Sequence, residues 1–157
     1  MPNNIIYKKA TVDDLKELVL NRLLVLRTVF NLDEDTDMSA VESATQEYYA
    51  NVLSNGSHTA YLVYAAGKVI GVGDICYYQV MPMSYDPSGM RAYIMNMYTA
   101  PEHRSNGIAV NVVNLLLEDA KSRGITVISL SSTEMGKAVY KKCGFVFEDG
   151  AMIYKGV

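Results

Sequence analysis

The junction between a predicted strand and a predicted helix, residues 98–109, carries the residue types best suited to binding an anion. The strand ends at Thr99 and a long helix begins at Gly107, so the first N–H groups of that helix have no intrahelical partner. These donors and the positive end of the helix dipole suit a phosphate or pyrophosphate. Gly107 lets a ligand approach the backbone closely, Ala109 keeps the next turn open, and Arg104 adds a charge-assisted contact. The junction predicts a phosphate-binding loop, the alternative being an ordinary strand-to-helix turn that contains a glycine.

Other patterns of phosphate, metal and hydrolase chemistry do not occur in the sequence. No Gly-Lys-Ser or Gly-Lys-Thr follows the loop, and the dinucleotide pattern G-x-G-x-x-G is missing. The two cysteines, Cys76 and Cys143, and the two histidines, His58 and His103, match no metal-ligand spacing. Neither histidine lies near a nucleophile-elbow sequence. We therefore expect neither a metal site nor a Ser-His-Asp hydrolase.

The composition is that of a single globular domain covering residues 1–157. A chain of 157 residues has the usual length of one domain, and 50% hydrophobic with 20% charged residues excludes a disordered or fibrous protein. Fourteen Lys and Arg against seventeen Asp and Glu give a net charge of −3, which disfavours nucleic acid as a partner. The sequence begins without a hydrophobic signal segment, and no apolar run reaches about 18 residues. We predict a cytoplasmic protein with reduced thiols and no membrane partner.

Hydrophobic periodicity and turn residues predict a mixed α/β sheet that positions the junction. Thr11 is a candidate helix N-cap, and Ala66-Gly67 is the turn of an antiparallel hairpin. The strand, helix and strand around the junction form a βαβ crossover, and therefore one parallel pair. Helices are expected on both faces of the sheet. The predicted strands are 5–9, 59–66, 68–79, 91–99 and 126–131, the predicted helices follow Thr11 and cover 39–53, 107–123 and 134–142, and a last hairpin is expected around Gly150.

Two stretches and the element order resemble the GNAT superfamily of N-acetyltransferases, which move an acetyl group from acetyl-CoA to an amine. Residues 97–109, MYTAPEHRSNGIA, are similar to the family's R/Q-x-x-G-x-G/A loop behind a strand end. Residues 133–145, TEMGKAVYKKCGF, are similar to the family's tyrosine-containing helix that is followed by Gly-Phe. The sequence departs from the commoner pattern at Ala109, usually Gly, and at Thr133, where many members carry Asn. The resemblance implies a GNAT-like acyl-CoA N-acyltransferase fold, with a mostly antiparallel central sheet, one parallel pair and helices on both faces.

The resemblance also implies which residues bind acetyl-CoA, the expected co-substrate. The backbone of residues 97–99 would hydrogen-bond the pantetheine arm, and residues 104–109 would surround the pyrophosphate. Tyr140 would stand beside the thioester sulfur and help the thiolate to leave, the alternative being a tyrosine that packs the short helix onto the sheet. The implied acetyl-CoA-binding residues are Met97, Tyr98, Thr99, Arg104, Ser105, Asn106, Gly107, Ile108, Ala109 and Thr133, and no metal is implied.

We predict acetyl transfer from acetyl-CoA to a primary amine of a small molecule or peptide, by direct transfer in a ternary complex. A non-catalytic acyl-CoA-binding module is the alternative, and a structural partner protein that docks through its apolar first helix is a third. The net charge favours a neutral or cationic amine, and the 80–90 loop with the two N-terminal helices is expected to form its pocket. The sequence leaves the oligomeric state open, a homodimer included.

The general base is not evident from the sequence. Tyr93 and Asn96 occupy the strand in which relatives often place a glutamate, and Glu134 is a further candidate carboxylate near the site. A chain of water molecules is equally compatible with the sequence. Arg22 and Arg27 interrupt the apolar first helix, and we expect them on a solvated face.

Overall fold

The computed structural model of the protein describes residues 4–156 and contains a five-stranded sheet with helices on both faces. The strands follow one another in the order β1-β2-β3-β4-β5, all neighbours antiparallel except the parallel pair β4–β5. The predicted mixed sheet with one parallel pair is confirmed. The strands are β1 (Ile5–Lys9), β2 (His58–Ala65), β3 (Lys68–Gln79), β4 (Met90–Thr99) and β5 (Ile128–Leu130), and the helices are α1 (Leu15–Val29), α2 (Ser39–Asn55), α3 (Ile108–Ser122) and α4 (Lys137–Lys142).

Each face of the sheet buries its own hydrophobic cluster. Side chains alternate along the strands, so β2 sends Leu62 towards α1 and α2, and Val63 towards α3. Burial of these apolar side chains supplies the main driving force for folding. The cluster beneath α1 and α2 includes Leu18, Val19, Val25, Tyr49 and Val72, and the cluster beneath α3 and α4 includes Ile75, Ile94, Val112, Val113 and Leu116.

The predicted cap and hairpin turn are both present. Thr11 Oγ1 accepts a hydrogen bond from the backbone N–H of Asp13 (3.3 Å), and Asp14 Oδ2 accepts one from the backbone N–H of Thr11 (2.9 Å), which together form a capping box before α1. Ala66 and Gly67 join β2 to β3 with φ values of 49° and 75°. Two positive φ values match the turn geometry that two-residue hairpins favour.

A β-bulge in β4 lies opposite β3 near the centre of the sheet. Val72 pairs with Tyr98 and Asp74 pairs with Met95, so Asn96 and the residue after it oppose the single residue between Val72 and Asp74. Asn96 has a φ of 56°, in the left-handed region that asparagine tolerates better than most residues. The bulge kinks β4 and redirects the side chains that follow it.

Gly73 sits opposite this bulge and brings α3 close to the sheet. A Cβ at this position would collide with Val112 Cγ1 and would lie 2.6 Å from Met97 Sδ. Only a hydrogen atom fits between the strand and the helix here. The close approach therefore depends on glycine.

Beyond the bulge, β4 has a strand neighbour on one side only. The parallel pairing ends at Ile94 with Leu130, while the antiparallel pairing with β3 continues as far as Thr99. Within the described residues, no strand pairs with the other edge of residues 95–99. The sheet therefore opens as a wedge that leads from the bulge towards the N-terminus of α3.

The hairpin predicted around Gly150 is wrong. Residues 145–156 form neither helix nor strand, and the large apolar side chains beyond Phe145 remain exposed, from 66% for Phe147 to 97% for Met152. A two-stranded hairpin is only marginally stable unless one of its faces is buried, and no such burial occurs here. The neighbouring helix α4 is also shorter than predicted, because residues 134–136 form turns before it begins at Lys137.

No helix in the part of the chain from residue 4 to residue 156 combines the length and the apolar character needed to cross a bilayer.

Candidate active site

The open edge of β4 offers backbone groups rather than side chains. Met97 packs into the cluster beneath α3, and Tyr98 packs into the cluster beneath α1 and α2. The Thr99 carbonyl accepts a hydrogen bond of 3.0 Å from Arg104 Nε. Because the side chains of Met97 and Tyr98 turn into the core, this stretch of β4 presents main-chain groups to the wedge, as an edge strand does.

The loop between β4 and α3 forms an open turn around the start of that helix. Ser105 and Gly107 have φ values of 64° and 76°, and Asn106 Nδ2 donates to the carbonyls of His103 and Arg104, each at 3.2 Å. A Cβ on Gly107 would have no atom within 4 Å, and no side chain caps the helix. The first N–H groups of α3 therefore point into open space, as an anion site requires.

The residues predicted to bind acetyl-CoA differ in what they can contribute. The side chain of Ile108 is 3% exposed and belongs to the core, so only its backbone N–H can reach a ligand. Thr133 Oγ1 accepts a hydrogen bond of 3.2 Å from the backbone N–H of Gly136, and its own proton remains available for donation. The structure therefore brings residues 97–99 and 104–109 to one end of the wedge.

Tyr140 of α4 lines a cavity of about 680 Å³ along β5. Its ring meets that of Phe145 edge to face at 6.1 Å. Burial, and after it the neighbouring Cys143 and Tyr93, raise the pKa of the Tyr140 phenol, which is therefore protonated at neutral pH. Among residues 4–156, no hydrogen bond occupies this hydroxyl. The phenol is free to donate to a ligand.

A second cavity, of about 370 Å³, lies between α1, α2 and the strands β3 and β4. It touches β4 at Met95 and Asn96, so it meets the wedge at the bulge. Both α1 and α2 contribute lining residues, and none comes from the 80–90 loop. The lining residues are Arg22, Val41, Ala44, Thr45, Tyr48, Tyr49, His58, Asp74, Met95 and Asn96.

Asp74 is fully buried at the floor of this second cavity and is held by three hydrogen bonds. Tyr49 Oη donates to Asp74 Oδ2 at 2.6 Å, and His58 Nε2 lies 2.6 Å from the same oxygen. Asn96 Nδ2 donates to Asp74 Oδ1 at 2.9 Å. Tyr48 Oη, at the cavity surface, lies 2.9 Å from His58 Nδ1. Hydrogen-bond donors therefore surround this buried carboxylate, as a buried charge requires.

The tyrosines of this network are protonated at neutral pH. Burial, then the charge of Asp74, raise the pKa of Tyr49 well above its ordinary value. Burial also raises the pKa of Tyr48, followed by the influence of Cys76 and Asp74. Tyr49 donates to Asp74, and the direction of the hydrogen bond between Tyr48 and His58 depends on which imidazole nitrogen carries the proton.

Arg22 belongs to the network and not to a solvated face, contrary to the prediction. Its Nη1 donates to Asn96 Oδ1 at 3.0 Å across the cavity. Arg27 donates to the carbonyls of Asp33 (2.7 Å) and Thr36 (3.1 Å). Glu134 is exposed and forms an ion pair of 2.5 Å with Lys137. Lys137 lines the first cavity, but Glu134 lines neither of the two.

Sequence reasoning did not single out Tyr48, His58 and Asp74 as candidate site residues. One signal was available, since Asp74 interrupts the otherwise apolar run of β3, VIGVGDICYY. A carboxylate within a buried strand must find partners or a function. No three His, Cys, Asp or Glu side chains of residues 4–156 form a group that could hold a metal ion.

Comparison with known proteins gives one family match. The model of the Acetyltransferase (GNAT) family matches residues 26–145. No curated protein sequence matches the chain.

Several solved structures share the fold over nearly the whole chain. A predicted acetyltransferase from Clostridium acetobutylicum, solved with acetyl-CoA, is 29% identical with a TM-score of 0.86, covering 97% of this chain and 96% of the other. A GCN5-related N-acetyltransferase from Ralstonia eutropha JMP134 is 22% identical with a TM-score of 0.80, covering 98% and 99%. Glucosamine-6-phosphate N-acetyltransferase from Arabidopsis thaliana is 16% identical with a TM-score of 0.73, covering 98% and 99%.

Proposed function

Because the chain belongs to the acetyltransferase (GNAT) family, we propose that it transfers acetyl from acetyl-CoA directly to a primary amine, with both substrates bound at once. The family and fold implied by the two sequence motifs are confirmed, and the chain is an acetyltransferase. The observation that carries the finer proposal is the wedge between β4 and β5, which leads from the second cavity to the open N-terminus of α3. Acetyl-CoA supplies an activated thioester whose carbonyl carbon an amine can attack.

The wedge and the loop fit the two halves of this co-substrate. The backbone of Met97, Tyr98 and Thr99 would pair with the pantetheine arm as with an added strand. The free N–H groups of α3 would bind the pyrophosphate, and Arg104 would add its charge. Open space at Gly107 leaves room for the phosphates, and the free proton of Thr133 supplies a further donor.

Two groups would assist the chemistry at the thioester end. A backbone N–H near Met97 or Tyr98 would stabilise the oxygen as it gains negative charge. Tyr140 would donate a hydrogen bond to the departing sulfur, because its phenol is protonated and free. A metal is not needed for either role.

The amine would enter the second cavity, since this cavity meets the wedge at the bulge. A volume of about 370 Å³ suits a small molecule or the end of a peptide better than a large polymer. Two relatives of this fold, named for aminoglycosides and for glucosamine 6-phosphate, act on small amines, which supports this substrate class. A cytoplasmic location stays a prediction from the sequence, which cell fractionation tests.

Thermal unfolding with CoA or acetyl-CoA tests the proposed cofactor site through Gly107→Glu. A ligand that binds only the folded state raises Tm, and a glutamate at this position places bulk and negative charge where the pyrophosphate would bind. We expect the rise in Tm to disappear in this variant. An undiminished rise in a folded Gly107→Glu protein would contradict the site.

Gly124→Glu is the matched control for this experiment. Gly124 follows the other end of α3, has a φ of 72° and, like Gly107, has open space around its Cβ position. Fifteen helical residues separate the two by roughly 22 Å. This variant should keep the rise in Tm.

Turnover itself is measured as amine-dependent thiol release with an aminoglycoside, glucosamine 6-phosphate, spermidine and a peptide N-terminus.

A further inference from the structure

A chain of titratable side chains leads from the second cavity into the interior, and the transfer described above gives it no role. Tyr48 is 41% exposed at the cavity wall, and its Oη lies 2.9 Å from His58 Nδ1. His58 Nε2 lies 2.6 Å from Asp74 Oδ2, and both of these side chains are 1% exposed. The order from the cavity inward is tyrosine, histidine, carboxylate.

The hydrogen-bond partners determine where the imidazole carries its proton. An ionised Asp74 can only accept, so His58 Nε2 is the donor of the bond between them. A neutral imidazole with its proton on Nε2 has a bare Nδ1, which accepts the proton of Tyr48 Oη. This tautomer follows from the partners on both sides. In this tautomer Nδ1 is the acceptor nitrogen of the ring, and Tyr48 connects it to the cavity.

The remaining charged and titratable groups around the chain keep one protonation state at neutral pH. Arg22 of α1 is always protonated. Burial raises the pKa of Tyr49 of α2 and of Cys76 of β3, which therefore retain their protons. Burial raises the pKa of Tyr48 as well, so this phenol passes a proton on and does not remain ionised. His58 Nδ1, at 2.9 Å from Tyr48 Oη, is the atom to which the phenol proton can pass.

We propose that Tyr48, His58 and Asp74 accept the proton that the amine loses during transfer, an inference that rests on the proposed function. As the amine nitrogen bonds the acetyl carbon, the carbon–sulfur bond breaks and its electron pair leaves with the sulfur. The surplus proton of the nitrogen passes to Tyr48 Oη while the phenol proton passes to His58 Nδ1. The imidazolium donates through both nitrogens, to Tyr48 and to Asp74. The proton returns to water through the exposed edge of Tyr48, which restores the resting state.

Tyr48 is the catalytic residue of this relay, because it would touch the amine. His58 and Asp74 act through Tyr48 and are positioning residues. Asn96 donates to the other oxygen of the carboxylate and is itself held by Arg22, which keeps Asp74 directed towards His58. The relay would select amines small enough to bring their nitrogen within hydrogen-bond distance of Tyr48 Oη.

The kinetic test compares Tyr48→Phe, His58→Gln and the double variant, using the most active amine of the panel. Phenylalanine keeps the ring and deletes the hydroxyl, and glutamine can donate to Asp74 but cannot take up a proton. We expect kcat to fall about 10²-fold in each single variant, within the usual range of acid–base catalysis, and no further in the double variant. The dependence of kcat on pH should change in both single variants, while the KM for acetyl-CoA stays unchanged.

Tyr77→Phe is the matched control, because Tyr77 Oη donates to a different carboxylate, Asp119, at 2.5 Å on the other face of the sheet. It should lower Tm without changing the pH profile. Wild-type kcat, or an unchanged pH profile, in folded Tyr48→Phe would overturn the relay and leave the proposed function standing. Failure of the wild-type protein to release thiol with any amine would overturn the proposed function, and the relay with it.

A measurement on the wild-type protein needs no turnover. The chain contains only two histidines, so His103→Gln assigns both sets of imidazole ¹⁵N signals. We expect the neutral His58 ring to carry its proton on Nε2, and its Nδ1 signal to shift in Tyr48→Phe while the His103 signals do not move. A proton found on Nδ1 would overturn the relay.

Discussion

Each face of the sheet holds a carboxylate that accepts several hydrogen bonds, and the partners of these two carboxylates differ in kind. Asp119 of α3 accepts from Tyr77 Oη (2.5 Å), Thr59 Oγ1 (2.8 Å), Lys9 Nζ (2.8 Å) and Arg123 Nε (3.1 Å). Two of those partners carry a fixed positive charge. The structure therefore holds Asp119 in a single state, as a link between α3 and the first strands of the sheet.

Asp74 has partners that can exchange protons or rearrange. A histidine, a tyrosine and an amide surround it, and the one cation nearby, Arg22, reaches it only through Asn96. It also lies at the floor of a cavity, whereas neither of the two cavities reaches Asp119. Hydrogen bonding alone therefore does not distinguish the two carboxylates. The type of their partners and their access to a cavity do.

The largest expected effect is a difference in kcat between variants of the two carboxylates. In Asp74→Asn an NH2 group replaces one carboxylate oxygen and faces either the donors His58 and Tyr49 or the donor Asn96, so one side of the network loses its acceptor. We therefore expect kcat to fall by about 10²- to 10⁴-fold. Asp119→Asn should leave kcat unchanged. Steady-state kinetics below the Tm of both variants measures the difference. Equal losses in the two variants would show that the faces do not differ in chemistry.

The second expected effect concerns Tyr140, which lies on the same face of the sheet as Asp119. Tyr140→Phe removes only the donor proposed to assist the sulfur, and we expect kcat to fall at least about tenfold with acetyl-CoA affinity nearly intact. Single-turnover rates show whether the chemical step is the one that slows. An unchanged rate, in an assay limited by chemistry, would make Tyr140 a packing residue and leave this face purely structural.

The smallest expected effect is a pH-dependent change in stability. Burial alone would raise the pKa of Asp119, but hydrogen bonds from Lys9, Tyr77 and Thr59 and the charge of Arg123 lower it to about 2. A pKa below the ordinary value of about 3.9 means that the ionised group stabilises the fold above that pH. The stabilisation is lost as the pH falls from about 4 towards 2.

Asp119→Asn should therefore lower Tm by about 2–4 °C at pH 7, the shift expected for a loss of about 1 kcal/mol in a domain of this size. The difference from the wild-type protein should shrink as the pH falls below about 4. Calorimetry across this range measures it. A difference independent of pH would show that shape, and not charge, accounts for the role of Asp119.

Much of the fold could be predicted because its signals are local. The bounds of β1 and β3 agree with the prediction, since Ala66-Gly67 and the alternation of apolar residues define them within a few positions. The candidate acetyl-CoA loop could be predicted from a contiguous motif. The predicted hairpin around Gly150 had turn residues but no buried face, and the prediction failed there.

The acceptor side of the candidate site could not be predicted in the same way. Arg22 and Asn96 are 74 positions apart, and His58 and Asp74 come from different strands. Their contacts depend on strand register and on the bulge at Asn96, which no local pattern specifies. Only the lone carboxylate within the apolar run of β3 gave a warning.

The close approach at Gly73 also limits how this protein can evolve or be engineered. Even an alanine there would require both Val112 and Met97 to give way, one on the helix and one at the bulge. No single substitution opens that path, because each partner alone would still block the added methyl group. Random mutagenesis libraries should therefore leave position 73 invariant, while neighbouring surface positions accumulate changes freely.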